Sequence, residues 1–179
     1  MELKLGEFYF NGKSSLDFGI YAKYIIPFSP PKKLRRVNIP GANGTYDYGT
    51  KNFDDIGITL ECYCKNEYDR STFREVVYWL SKKGRLYIWD DQDKYYIAEY
   101  QTEPSLTWQN LSHMNPFSLN FLCEPFAYKD DEKAPLQMGE NVVKYNGTYE
   151  ARPTLRLYNT SNSDIVNLSL TLVEKEENI

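Results

Sequence analysis

Histidine occurs once in this chain of 179 residues, at His113, and cysteine three times, at Cys62, Cys64 and Cys123. That leaves almost no material for a metal site or a histidine-based catalytic apparatus. The Gly-x-Ser-x-Gly turn that would mark an activated serine is missing. No apolar run approaches the roughly 20 residues that a bilayer-crossing helix needs, so membrane insertion is excluded. Residues 1–8, Met-Glu-Leu-Lys-Leu-Gly-Glu-Phe, alternate charged and apolar side chains and do not form a secretory signal. There is no excess of positive charge either: 21 Lys and Arg against 25 Asp and Glu leave a net charge of −4, which argues against nucleic-acid sequence recognition. We therefore expect no enzyme activity, no cofactor and no bound metal. An odd number of cysteines fits a reducing compartment.

Aromatic residues fill the place of these absences. Tyr contributes 16, Phe 9 and Trp 3. Tyrosine buries a large ring while keeping a polar tip, which suits half-exposed strands, protein interfaces and sugar-stacking surfaces alike. Charge is unevenly spread: residues 1–60 carry eight cationic against six anionic side chains, and both later thirds are net acidic. A mildly basic front end and an acidic remainder suit head-to-tail docking of identical copies.

The hydrophobic periodicity reads as mainly β with one helix. Phe8-Tyr9-Phe10 is a short strand closed by the tight-turn dipeptide Asn11-Gly12. Residues 19–26 read as the next strand, and Pro30-Pro31 must interrupt any ladder. Between 56 and 65, Ile58, Leu60, Cys62 and Cys64 share one face while Thr59, Glu61, Tyr63 and Lys65 share the other. Phe73, Val76, Val77 and Leu80 recur at helical spacing, which predicts a helix over about 70–83 with those four residues facing the core. A hairpin follows, 85–89 and 95–100 around the turn Asp90-Asp91-Gln92-Asp93, and then a strand at 117–123. The composition shifts after Tyr128. Lys129-Asp130-Asp131-Glu132-Lys133 reads as a linker, and 142–145, 154–158 and 165–173 read as strands. We expect a first domain at 1–128 and an incomplete second β domain at 129–179.

Several constellations have a functional and a bland reading. Cys62 and Cys64 share a strand face too far apart to bridge, so core packing is expected for them. Asp90, Asp91 and Asp93 suggest an acidic pair for hydrolysis, yet a hairpin needs turn residues at that place. Tyr87, Tyr95, Tyr96 and Tyr100 allow a carbohydrate-binding module built on hairpin 85–100, or simply cross-strand aromatic pairs. Arg35 to Gly49 carries a basic pair, then Ile39-Pro40, turn-prone Gly41, Asn43 and Gly44, then Tyr46 and Tyr48. Its apolar content is too low for a core strand, and it carries the aromatic anchors favoured at interfaces. Arg35, Arg36, Ile39, Gly41, Asn43, Gly44, Tyr46 and Tyr48 are therefore the expected self-assembly contacts.

Taken in order, these segments resemble one family. Residues 8–20, Phe-Tyr-Phe-Asn-Gly-Lys-Ser-Ser-Leu-Asp-Phe-Gly-Ile, resemble the opening of the distal tail proteins of long-tailed bacteriophages, or siphophages. Residues 35–44 are similar to its basic segment leading into Ile-Pro-Gly-x-Asn-Gly, and 73–98 to its helix and hairpin. Asn146 to Leu155 resembles the Asn-Gly-Thr-x-x-Ala-x-Pro lead into the family's second domain. The resemblance implies a tail-tube-like β-sandwich ring domain with one helix, followed here by the opening strands of a galectin-like β-sandwich. It implies a homo-hexameric ring in the virion tail tip, or baseplate, made in the host bacterial cytoplasm. The implied partners are the tail-tube protein, the tail-tip hub protein and a receptor-binding protein.

Overall fold

The computed structural model describes residues 2–25, 32–33, 36–41, 43–47, 52–65, 67–101, 115–130 and 133–173, the last without 161, 165, 168 and 172. The chain divides into Met1–Glu132 and Lys133–Ile179.

In the first unit, β1 (Phe8–Phe10) and β2 (Lys13–Ser14) are joined by Asn11-Gly12, with φ of 46° and 88°. Both values are positive, as the two-residue turn matching strand twist demands. A 3-10 turn at Ser15–Phe18 follows, ended by Gly19 in the left-handed region. Then come β3 (Ile20–Ile25), β4 (Arg36–Asn38), β5 (Thr45–Asp47), β6 (Ile56–Cys64) and helix α1 (Arg70–Leu80). Strands β7 (Gly84–Ile88), β8 (Lys94–Gln101), β9 (Phe117–Cys123) and β10 (Tyr128–Lys129) complete the unit.

One antiparallel sheet runs β2-β1-β7-β8-β9-β6-β3, and β10 pairs with the start of β8. The β9–β10 strand is interrupted at Pro125, which has no backbone donor to give the ladder. The sheet is strongly curled. Two strands separate β1 from β9, so a flat sheet would hold them about 14 Å apart. Yet the rings of Phe10 and Phe121 are 5.0 Å apart at their centroids. The concave face thus meets itself in the manner of a sandwich, around Phe8, Phe10, Ile20, Ile58, Leu60, Leu86, Ile88, Leu119 and Phe121, all essentially fully buried.

Helix α1 closes this half-barrel. Asp69 caps it, its carboxylate accepting from the Thr72 N–H at 2.8 Å and the Thr72 hydroxyl at 2.7 Å. These bonds hold the Asp69 carboxyl below its usual pKa. The buried stripe is Val76, Trp79 and Leu80, with Phe73 packed partly against it. This corrects the expected face: Val77 is exposed and Trp79 takes its place. Trp79 stacks on Phe8 at 5.7 Å, lies 4.9 Å from Phe18, and donates from Nε1 to the Phe10 carbonyl at 2.6 Å.

Two differences concern the chain beyond the sheet. Tyr128 and Lys129 are strand residues, and Asp130 pairs with Arg85 at 2.8 Å, so the start of the expected linker is part of the first unit. In the second unit, no strand is present among the described residues at 142–145, 154–158 or 166–173. Their apolar side chains, such as Val142, Leu157 and Leu170, are exposed. Alternation supplies a face, but a ladder also needs a neighbouring strand whose backbone it can pair with.

Candidate functional site

Beyond the ends of β3 and β6, further antiparallel pairs occur among the described residues. From Ile20 opposite Cys64 to Ile25 opposite Thr59, each residue forward on one strand meets one residue back on the other. Further along, Lys32 bridges Phe53 and Arg36 lies opposite Asp47, in the same antiparallel sense. The described residues among 32–53 form this second antiparallel hairpin, which we term the arm. The strands before and after it in sequence, β3 and β6, belong to the main sheet, where β6 pairs with β9 as far as Ile56 opposite Cys123. Among the described residues, β4 and β5 pair only with each other.

The arm has two faces. Val37 lies opposite Tyr46, and Ile39 follows Val37 by two residues on the same side, so apolar and aromatic groups share a face. All three are exposed, Tyr46 at 58%. Arg36 opposite Asp47 and Asn38 opposite Thr45 supply the polar face. At the tip, Gly41 and Gly44 have φ of 85° and 88°, conformations that side chains rarely tolerate. Asn43 lies between them, and Arg35 and Tyr48 fall outside the described residues. The structure therefore joins Arg36, Ile39, Gly41, Asn43, Gly44 and Tyr46 in one hairpin.

The root of the arm was missed in the sequence. Lys33 N–H donates to the Asn52 carbonyl at 3.0 Å, and its ammonium lies 3.8 Å from Asp54. Phe53 meets Phe126 edge-to-face at 5.3 Å, fastening the arm to the bend after β9. Isolated aromatics beside Asp54 and Pro125 were the available signal, but nothing local says that they meet.

The other constellations resolve into structure. Residues 89–93, with Asp90, Asp91 and Asp93 among them, form the β7–β8 turn, with Lys94 pairing Asp91 at 2.9 Å. The hairpin tyrosines divide between faces. Tyr96 and Tyr100 pack against the core, whereas Tyr87 and Tyr95 lie on the opposite face, 5.4 Å apart, beside Tyr9 and Tyr128. Arg85 sits 4.3 Å over the Tyr95 ring, and Tyr95 is only 9% exposed. That is cross-strand pairing, and it offers a sugar no flat platform of four rings. The three thiols are buried and free. Burial pushes Cys64 up to about 11 and Cys123 up to about 12, and Cys62 further still. Thiols so held are neutral and poor ligands or nucleophiles. Among the described residues, no three His, Cys, Asp or Glu side chains are grouped to hold a metal ion. No helix there is long and apolar enough to cross a membrane, and His113 lies outside the described residues.

Residues 11–123 match the family described as phage tail protein RIFT-related domain. No curated protein sequence is significantly similar to the chain. Among solved structures, the fold is similar to that of the phage SPP1 Dit (gp 19.1) protein, described as a paradigm of the hub adsorption apparatus in phages infecting Gram-positive bacteria. The TM-score is 0.52 at 13% identity, over 69% of this chain and 51% of that one, so the chain spans about half that protein's length.

Proposed function

We propose, from the premise that this chain belongs to the family of phage tail proteins with a RIFT-related domain, that it forms a hexameric ring in the tail tip. The ring joins the tail tube to the host-adsorption apparatus, with the tube protein and the tip hub protein as axial neighbours and a receptor-binding protein as a further partner. The family makes the chain a structural tail protein. The observation that carries the finer reading is the arm: a second hairpin, between β3 and β6 in sequence, bearing exposed Val37, Ile39 and Tyr46. Closed rings need a heterologous contact, in which one surface meets a different surface on the next copy. A hairpin with one apolar face provides such an element, and aromatic residues are favoured where it lands. Its Arg36, with Arg35, meets acidic surface from residues beyond 61 on the neighbour. The chain beyond residue 132 is proposed as the lead into a second β unit. Synthesis takes place in the host cytoplasm, where the thiols stay reduced.

Replacing residues 41–48 by a short Gly-Ser linker tests the reading. Light scattering should show the unaltered chain as hexamers and the replaced chain as folded monomers with a similar melting temperature. Hexamers that persist after the replacement would place the ring contact elsewhere.

A further inference from the structure

Among the described residues, strand β3 ends the sheet on one side, and the strand at the other end, β2, has only two residues. The Lys65 N–H donates to the Gly19 carbonyl at 3.1 Å, so in the facing register Gly19, Tyr21, Lys23 and Ile25 direct their backbone groups toward β6. Ile20, Ala22 and Tyr24 therefore direct theirs outward. An edge of this kind accepts a strand from any chain that reaches it.

Residues 3–7 form a strap that meets that edge at Ala22. The Ala22 N–H donates to the Gly6 carbonyl at 2.8 Å. Gly6 has φ of 81°, and a Cβ there would stand 3.4 Å from the Ala22 carbonyl oxygen, so glycine allows this close approach. The Gln92 side chain then holds the strap much as a strand would. Its Oε1 accepts from the Leu3 N–H at 2.7 Å, and its Nε2 donates to the Leu3 carbonyl at 3.2 Å. The Leu3 side chain is buried. Glu7 closes the far end, its carboxylate accepting from the Lys4 N–H at 2.8 Å and from the Ser14 hydroxyl.

We propose that this strap is an edge guard, which prevents β3 from pairing with β3 of a second copy. The excluded occupant follows from self-complementarity. Antiparallel pairing centred on Ala22 sets position 20 against 24 and Tyr21 against Lys23, so outward backbone groups meet and no like charges face each other. The strap occupies Ala22, the centre of that pairing, so a docked strap and a second copy exclude one another. A two-fold β3 contact would divert copies from a heterologous assembly, and guarding it leaves the arm as the open ribbon. The guard stands whether or not the arm closes a ring.

Two differently tagged chains, Tyr21→Cys and Lys23→Cys, are mixed and oxidised. Positions 21 and 23 become cross-strand neighbours only between copies, and the native thiols are buried. The strap is released by Gln92→Ala, or removed by deletion of residues 2–6, with circular dichroism showing which chains remain folded. Released chains should give about tenfold more 21–23 cross-link than strap-intact chains, the factor that ~1.4 kcal/mol of lost guarding provides. Cross-links absent from both released forms, or equally abundant with the strap intact, would overturn the proposal.

Discussion

Cys62 and Cys64 alternate with Tyr63, so both thiols point to the concave side of β6, where 2% and 3% of their surface remains exposed. At pH 8 the folded protein should not react with a thiol-specific disulfide reagent, whereas the chain unfolded in guanidinium should release three equivalents. Rapid reaction of the folded protein would contradict this burial. The same groups set an alkaline limit. Their pKa values rise on folding from 9.0 to about 11 for Cys64 and about 12 for Cys123. Below pH 9 both states keep these protons and the contribution to stability is complete. As pH rises above that, the unfolded chain loses protons that the folded chain retains, so stability falls. The melting temperature should drop from about pH 9 to 11, less steeply in Cys64→Ala. Equal slopes would assign the drop to other groups.

Helix α1 shows how an element can be foreseen while its orientation is not. Phe73, Val76, Val77 and Leu80 fit helical spacing, but so do Phe73, Val76, Trp79 and Leu80. The choice belongs to the sheet, which offers Phe8, Phe10 and Phe18 to a large ring and a buried Phe10 carbonyl to the indole N–H. Trp79→Ala should cost ~3–5 kcal/mol and Leu80→Ala ~2–5 kcal/mol. Val77→Ala, on the exposed side, should stay within about 0.5 kcal/mol. Denaturant titrations check the order, and a Val77 effect matching Trp79 would restore the other face.

At the scale of the molecule, the arm and the curled sheet make separate demands. The Phe53–Phe126 contact fastens one to the other without entering the main core cluster. Phe126→Ala should therefore lower the fraction of assembled rings, seen by light scattering at fixed concentration, while the melting of the first unit changes little. Loss of both together would show that the root supports the core, and loss of neither would show that the arm needs no such fastening.

The short-range features were legible in the sequence because their causes are local. Asn11-Gly12 demands positive φ, and alternation at 56–64 and 117–123 assigns a buried face to each strand. The hairpin tip at Gly41 and Gly44 belongs with them. What only the tertiary structure decided depends on partners far along the chain. The curl brings Phe10 to Phe121, Lys32 bridges Phe53 at the root of the arm, and the Gly6 carbonyl meets Ala22 of β3. The apolar segments at 142–145 and 154–158 also read as strands, yet form no ladder there, because a strand is completed by a neighbour's backbone groups and not by its own pattern.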